Sequence, residues 1–147
     1  LFAALEVASG KVHGLCFPRH SHVELVDFLA SVDRKYRCRE IHLICDNYGT
    51  HKHPNVRAWL KAHPRFSVHF TPTSASWLNL VERWFALLTP QVIRRGSFDS
   101  VRALERRISR FLANWNTEAK PFRWTKSARQ ISLQIRRARD TLVLETL

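Results

Sequence analysis

A chain of 147 residues suits one domain with a single core. Hydrophobic content of 45% with 11% aromatics excludes a disordered chain; no apolar run approaches the roughly 18–20 residues that span a bilayer, and no signal-peptide pattern is present. Lys and Arg number 24 against 12 acidic residues, and the resulting +12 favours a polyanionic partner, because each phosphate neutralised releases condensed counterions. Cys16, Cys38 and Cys45 are too few and too scattered for a disulfide framework or a Cys-x-x-Cys metal clip, which points to a reducing, cytoplasmic setting. The chain holds no Met and opens on a strand-like Leu1–Leu5, so a fragment of a longer protein is expected.

In chain order, Phe2–Val7 and Lys11–Phe17 are short β-prone runs joined by Ala8, Ser9 and Gly10, the pattern of an antiparallel hairpin. Gly14 inside the second run suggests a bulge. Ser21 with Glu24 three residues on has capping-box spacing and starts a helix, along which Leu25, Val26, Leu29, Val32 and Tyr36 recur at helical intervals and would cover a sheet. After the basic turn Arg37–Arg39, the apolar run from Ile41 to Cys45 suits a strand buried on both faces. Pro54 suits the first turn of a helix with Val56, Trp59 and Leu60 inward, ended by His63 and Pro64. Phe66–Phe70 alternates like a strand, which makes a βαβ unit with parallel strands. The second half reads as helices. Trp77–Leu88 comes first, followed by Pro90 and a basic knot at Arg94, Arg95 and Gly96. A second is capped by Ser97 or Asp99, with Val101, Leu104, Ile108, Phe111, Leu112 and Trp115 inward. An amphipathic run from Ser127 to Leu142 is last.

Two carboxylates stand out, with 35 residues between them. Asp46 closes the run from Ile41 and lies at the carboxyl end of a parallel strand, where open α/β sheets bind ligands; an ordinary turn made with Asn47 is an equal alternative on spacing alone. On an ideal helix Glu82 falls about 40° from Leu78, so it borders the apolar stripe instead of opposing it. A carboxylate there calls for an arginine, a raised pKa or a cation. The working hypothesis is that the two share a divalent metal; a salt bridge from Glu82 to a distant arginine is the plainer alternative.

The segment Cys45–His53, with Asp46, Asn47, Tyr48, Gly49, Thr50, His51 and Lys52, and the segment Phe70–Phe85, with Asn79 and Glu82, together resemble the catalytic core of a DDE transposase. The closest resemblance is to bacterial insertion-sequence transposases related to the mariner elements, and it runs from about Leu1 to Ser127, leaving 128–147 as a C-terminal helical tail. Leu80 stands where the family more often has proline after the asparagine. The resemblance implies an α/β, ribonuclease H-like fold: a mixed sheet flanked by helices. It also implies Mg²⁺-dependent (or Mn²⁺-dependent) DNA strand cleavage and joining, with Asp46 and Glu82 as catalytic metal ligands supported by Asn47, His51 and Asn79. Hard oxygen ligands suit Mg²⁺, and two such ions would clamp both sides of an in-line displacement.

One departure matters. The family's first aspartate lies on a strand preceding the segment that matches Phe2–Val7, and no residue here corresponds to it; Glu6 belongs to the next strand. In the family's sheet order that strand is central, so Phe2–Val7 and Ile41–Asp46 would each lack a neighbour, and a marginally stable chain that aggregates or pairs with another chain is expected. The function implied is therefore that of a transposase fragment, inactive by itself. The alternative is a non-catalytic remnant that only binds DNA or pairs with an intact transposase chain, or with itself as a homodimer. Transposon ends and target DNA are the expected partners, no membrane is, and a bacterial nucleoid is the expected location. Lys52, Arg94, Arg95, Arg102, Arg106 and Arg110 are candidate phosphate contacts, although the Arg102 series would equally make a solvated helix face. Trp124 is a weak candidate for base stacking. His51 and His53 form too sparse a pair for structural zinc.

Overall fold

The computed structural model describes residues 1–72, 79–121 and 127–145, with side chains as far as 137. Strands β1 (Phe2–Leu5) and β2 (Val12–Leu15) form the expected hairpin. Its turn closes with Glu6 N–H donating to the Lys11 carbonyl at 2.8 Å and Gly10 at φ 72°. Gly14 makes no bulge: it sits opposite Ala3 in unbroken register. What Gly14 supplies is room, since a Cβ there would stand 3.0 Å from Leu112 Cδ1. A side-chain carboxamide completes the outer edge of β2, where Val12 N–H donates to Asn116 Oδ1 and the Val12 carbonyl accepts from Asn116 Nδ2, each at 2.8 Å.

Helix α1 (His22–Lys35) starts at the Ser21–Glu24 capping box, with both reciprocal hydrogen bonds present. It leads to β3 (Ile41–Cys45), then a 3₁₀ turn (Gly49–Lys52), α2 (Pro54–Ala62) with Pro54 in its first turn, and β4 (Phe66–Phe70). β3 and β4 are parallel, Ile41 facing Phe66 and Cys45 facing Phe70. Arg65 fastens this unit to the end of α1, its guanidinium donating to the Asp33 carboxylate and to the carbonyls of Asp33, Tyr36 and Arg39.

Helix α3 (Leu80–Leu88) continues into a π turn (Thr89–Ile93) that absorbs Pro90. The sequence pattern begins this helix at Trp77, which lies outside the described residues, as does Trp124. Helix α4 (Val101–Thr117) is capped by Ser100, whose Oγ accepts from Ala103 N–H at 3.2 Å, and not by Ser97 or Asp99. Val101 falls outside the inward stripe and is 75% exposed. Helix α5 (Ala128–Glu145) opens with a reciprocal pair: Ser127 N–H donates to Gln130 Oε1 (2.8 Å) and Gln130 N–H to Ser127 Oγ (3.3 Å).

Two expectations about the interior need correcting. The expected single core is divided into two clusters by the hairpin, because alternate residues of a strand face opposite sides. Phe2 and Ala4 pack with α1, α2 and Phe66, whereas Ala3, Leu5 and Val12 pack with Trp84, Leu88, Ile108 and Leu112. Among the described residues β1 pairs only with β2 and β3 only with β4, so each of β1 and β3 has one pairing edge without a strand. β3 is accordingly not buried on both faces, and Ile44 is 52% exposed despite its apolar run. An open cleft of about 470 Å³ separates the two strand pairs.

Candidate metal centre

The apolar run of β3 ends where Asp46 begins a turn, so the chain delivers this carboxylate at the end of the β3–β4 unit. Tyr48 N–H donates to Asp46 Oδ1 at 3.2 Å, which is the Asx-turn geometry that Asp favours. His51, presented by the 3₁₀ turn, places Nδ1 2.9 Å from the same oxygen, and its ring is largely enclosed. One Asp46 oxygen is thus held from two sides. Asn47 acts differently, its Nδ2 donating to the carbonyl of buried Thr71 at 2.6 Å and pinning the turn to the residue after β4.

Glu82 occupies the first turn of α3, where the helix dipole favours a negative charge. This accommodates a half-buried carboxylate at the border of the apolar stripe, a placement that the longer helix read from sequence could not explain. Asn79 and Glu82 have capping-box spacing, yet the Asn79 side chain accepts no cap hydrogen bond. Asp46, His51, Asn79 and Glu82 all line the cleft between β1 and β3. The structure therefore brings together four of the five predicted site residues, with Asn47 acting from behind.

The donor set is two carboxylates, an amide and an imidazole. The carboxylates and the amide oxygen suit a hard divalent cation that keeps several waters, as Mg²⁺ does. Among the described residues no group of three His, Cys, Asp or Glu side chains is placed to hold a metal ion. His53 is engaged elsewhere, its Nδ1 accepting from Asn55 N–H at 3.2 Å to cap α2 and its ring stacking on His22 at 3.6 Å. Cys45, directly before Asp46, is pushed up to about 11 by burial and then by the Asp46 charge, which keeps it a neutral thiol near pH 7.

The predicted basic residues fall in three places. Lys52 lies 5.2 Å above the Phe70 ring beside the carboxylate end of the β3–β4 pair. Arg94 and Arg95 are exposed just beyond the π turn. Arg102, Arg106 and Arg110 line a shallow exposed groove along α4, which they share with Arg107 and Glu105. No described helix is long and apolar enough to cross a membrane.

Residues 1–105 match the family model described as DDE superfamily endonuclease. The chain is also 31% identical over 113 residues to the insertion element IS630 uncharacterized 39 kDa protein of Shigella sonnei, an alignment covering 76% of this chain and 33% of that protein. It thus spans about a third of the length of the curated relative it matches. With the family model covering well over half of its length, and running through both carboxylates, the chain belongs to the DDE superfamily endonucleases.

Proposed function

We propose that this chain is catalytic-domain material of an insertion-sequence transposase with a ribonuclease H-like fold, and that Asp46 and Glu82 are carboxylate ligands of Mg²⁺ in DNA strand cleavage and joining. The observation that supports the proposal is that these two acids, from the end of β3 and the first turn of α3, both line a single cleft. When bound, the metal would activate the attacking oxygen and stabilise the leaving one. His51 and the Tyr48 amide hold the Asp46 carboxylate in place; the amide of Asn79 offers a further neutral oxygen; Lys52, Arg94 and Arg95 would position phosphates.

The test is nicking of supercoiled DNA with Mn²⁺, by this chain and by a version extended upstream with a strand carrying an aspartate. Activity in the extended form that falls to background in Asp46→Asn and in Glu82→Gln supports the proposal. His51→Ala acts through Asp46 and should cost about 10–100-fold in metal affinity, the usual effect of removing a residue that orients a ligand. One observation favours a second reading, a remnant that binds DNA or an intact transposase without catalysis: among the described residues no group of three His, Cys, Asp or Glu side chains is placed to hold a metal ion. Equal inactivity of both forms, with DNA binding retained, would establish it.

A further inference from the structure

His42 on β3 and His69 on β4 meet across the parallel pair. In register His42 stands opposite Ser67 and His69 opposite Ile44, so the two histidines are diagonal neighbours on one face. Ring side chains can touch at that spacing. His42 Nδ1 lies 3.0 Å from His69 Nε2, with the ring planes 23° apart. One nitrogen donates to the other, so one ring presents a hydrogen and its partner a lone pair. Both rings are exposed, and their face of the strand pair carries no charged residue, only Ile44 and Ser67. A hydrogen bond so exposed adds little to the sheet, because water satisfies either ring equally well.

The separation has a second meaning. With metal–imidazole bonds of about 2.0–2.1 Å, two nitrogens 3.0 Å apart subtend about 90–97° at a shared ion. That is the cis angle of a square-planar or octahedral site, well short of the roughly 109° of a tetrahedron. Imidazole suits Ni²⁺ and Cu²⁺, which take those geometries, and not Mg²⁺, which prefers oxygen. To share an ion, the donating ring moves its hydrogen to its outer nitrogen. Each ring then turns its lone pair by about 45° out of the N···N line, within the broad terminal torsion of a histidine. Exposure leaves both rings room for that turn. His22 and His53 are the contrary case: their rings stack face to face at 3.6 Å and 7°, so their in-plane lone pairs lie in parallel planes and do not converge.

We infer that His42 and His69 form a two-imidazole site for a late transition-metal dication, Ni²⁺ or Cu²⁺, with water in its remaining positions, and that the bound ion fastens β3 to β4. The site stands apart from the carboxylates. His42 precedes Asp46 by four residues, about 13 Å along a strand, and its donors are nitrogens. The probe is Ni²⁺ alone, in a buffer free of imidazole and chelator. It is added to the whole chain carrying Cys38→Ser, so that no exposed thiol competes. Calorimetry should show one ion per chain. His42→Gln and His69→Gln should each weaken binding by about tenfold or more, because each removes one arm of a chelate whose second contact is intramolecular. Ni²⁺ should also raise the urea midpoint of the parent and not of either variant, whose metal-free midpoints report that they fold. The inference is overturned if the parent takes up no Ni²⁺, or if either variant binds as tightly as the parent. It also fails if excess Mg²⁺ displaces the Ni²⁺, since the ion then sits with the carboxylates. Ni²⁺ binding retained in Asp46→Asn, alongside lost nicking, would separate this site from the carboxylate one.

Discussion

His13 and Cys45 show how burial sets protonation in this chain. Ser31 Oγ donates its one hydrogen to the Phe28 carbonyl at 2.6 Å, so at 2.8 Å it accepts from His13 Nε2, which fixes the neutral tautomer with the proton on Nε2. Burial, and then the charge of Lys35, lowers the pKa of His13 below 6.5. The unfolded chain therefore takes up a proton that the folded chain refuses. The stability linked to His13 is fully present above pH 6.5, declines as pH falls through that value, and is lost below the folded pKa. The urea midpoint should drop between pH 7.5 and pH 5, and by less in His13→Gln, which keeps a donor without a charge; identical profiles would refute this. At Cys45 the sign runs the other way: a thiol pushed up to about 11 carries a thiolate fraction of roughly 10⁻³ at pH 8. Iodoacetamide at that pH should modify exposed Cys38 well before Cys45 and reach Cys45 readily only after denaturation, as mass spectrometry of the modified peptides would show. Equal rates in the folded chain would mean that Cys45 is not held in this environment.

The hairpin depends on α4 as much as on its own turn. Asn116 supplies to Val12 the donor and acceptor that a third strand would have supplied, and Trp115 Nε1 donates to the Gly10 carbonyl at 2.9 Å. Asn116→Ala strands two main-chain groups in a partly buried place and should cost about 1–3 kcal/mol, read from chemical denaturation. Asn116→Asp keeps an acceptor but loses the donor and should fall between the two. If both variants match the parent, the carboxamide is not what closes this edge. The elements set by local chemistry are legible in the residues themselves: the Ser21–Glu24 box, Pro54 in its first turn, and the period-2 and period-3.6 stripes of β4 and α4. That Asp46 and Glu82 line one cleft is anticipated by the family resemblance of the segments that carry them, not by their spacing alone. Contacts between distant segments are not legible in this way. Nothing near Asn116 signals Val12, and Gly14 reads as a bulge until Leu112 is seen against it. The exposure of β3 is hidden for a related reason: the run from Ile41 to Cys45 encodes burial on two faces, yet Ile44 is 52% exposed.

At the scale of the whole molecule, a charge of +12 would draw the chain to DNA without saying which surface makes contact. Arg102, Arg106 and Arg110 recur at every fourth position of α4, all exposed, on the side away from Ile108 and Leu112. Their spacing along one helix face matches a ladder of phosphates better than a scattered surface does, but Glu105 within the same groove weakens the local field. The two possibilities differ in salt dependence. If these three arginines neutralise phosphates, changing all three to Ala should lower the magnitude of the log K against log [salt] slope by about 2–3, since each B-DNA phosphate contact contributes about 0.9. If they form only a solvated face, removing three of the 24 basic residues weakens long-range attraction and leaves the slope nearly unchanged. Arg94→Ala with Arg95→Ala provides the comparison, because those side chains lie just beyond the helix that carries Glu82 and would touch DNA seated at the carboxylates. A slope that falls for the Arg94 and Arg95 pair but not for the α4 triple would put the DNA path across the cleft mouth and leave α4 as solvated surface. The reverse result would place the path along α4, so fluorescence anisotropy across a salt series decides between them.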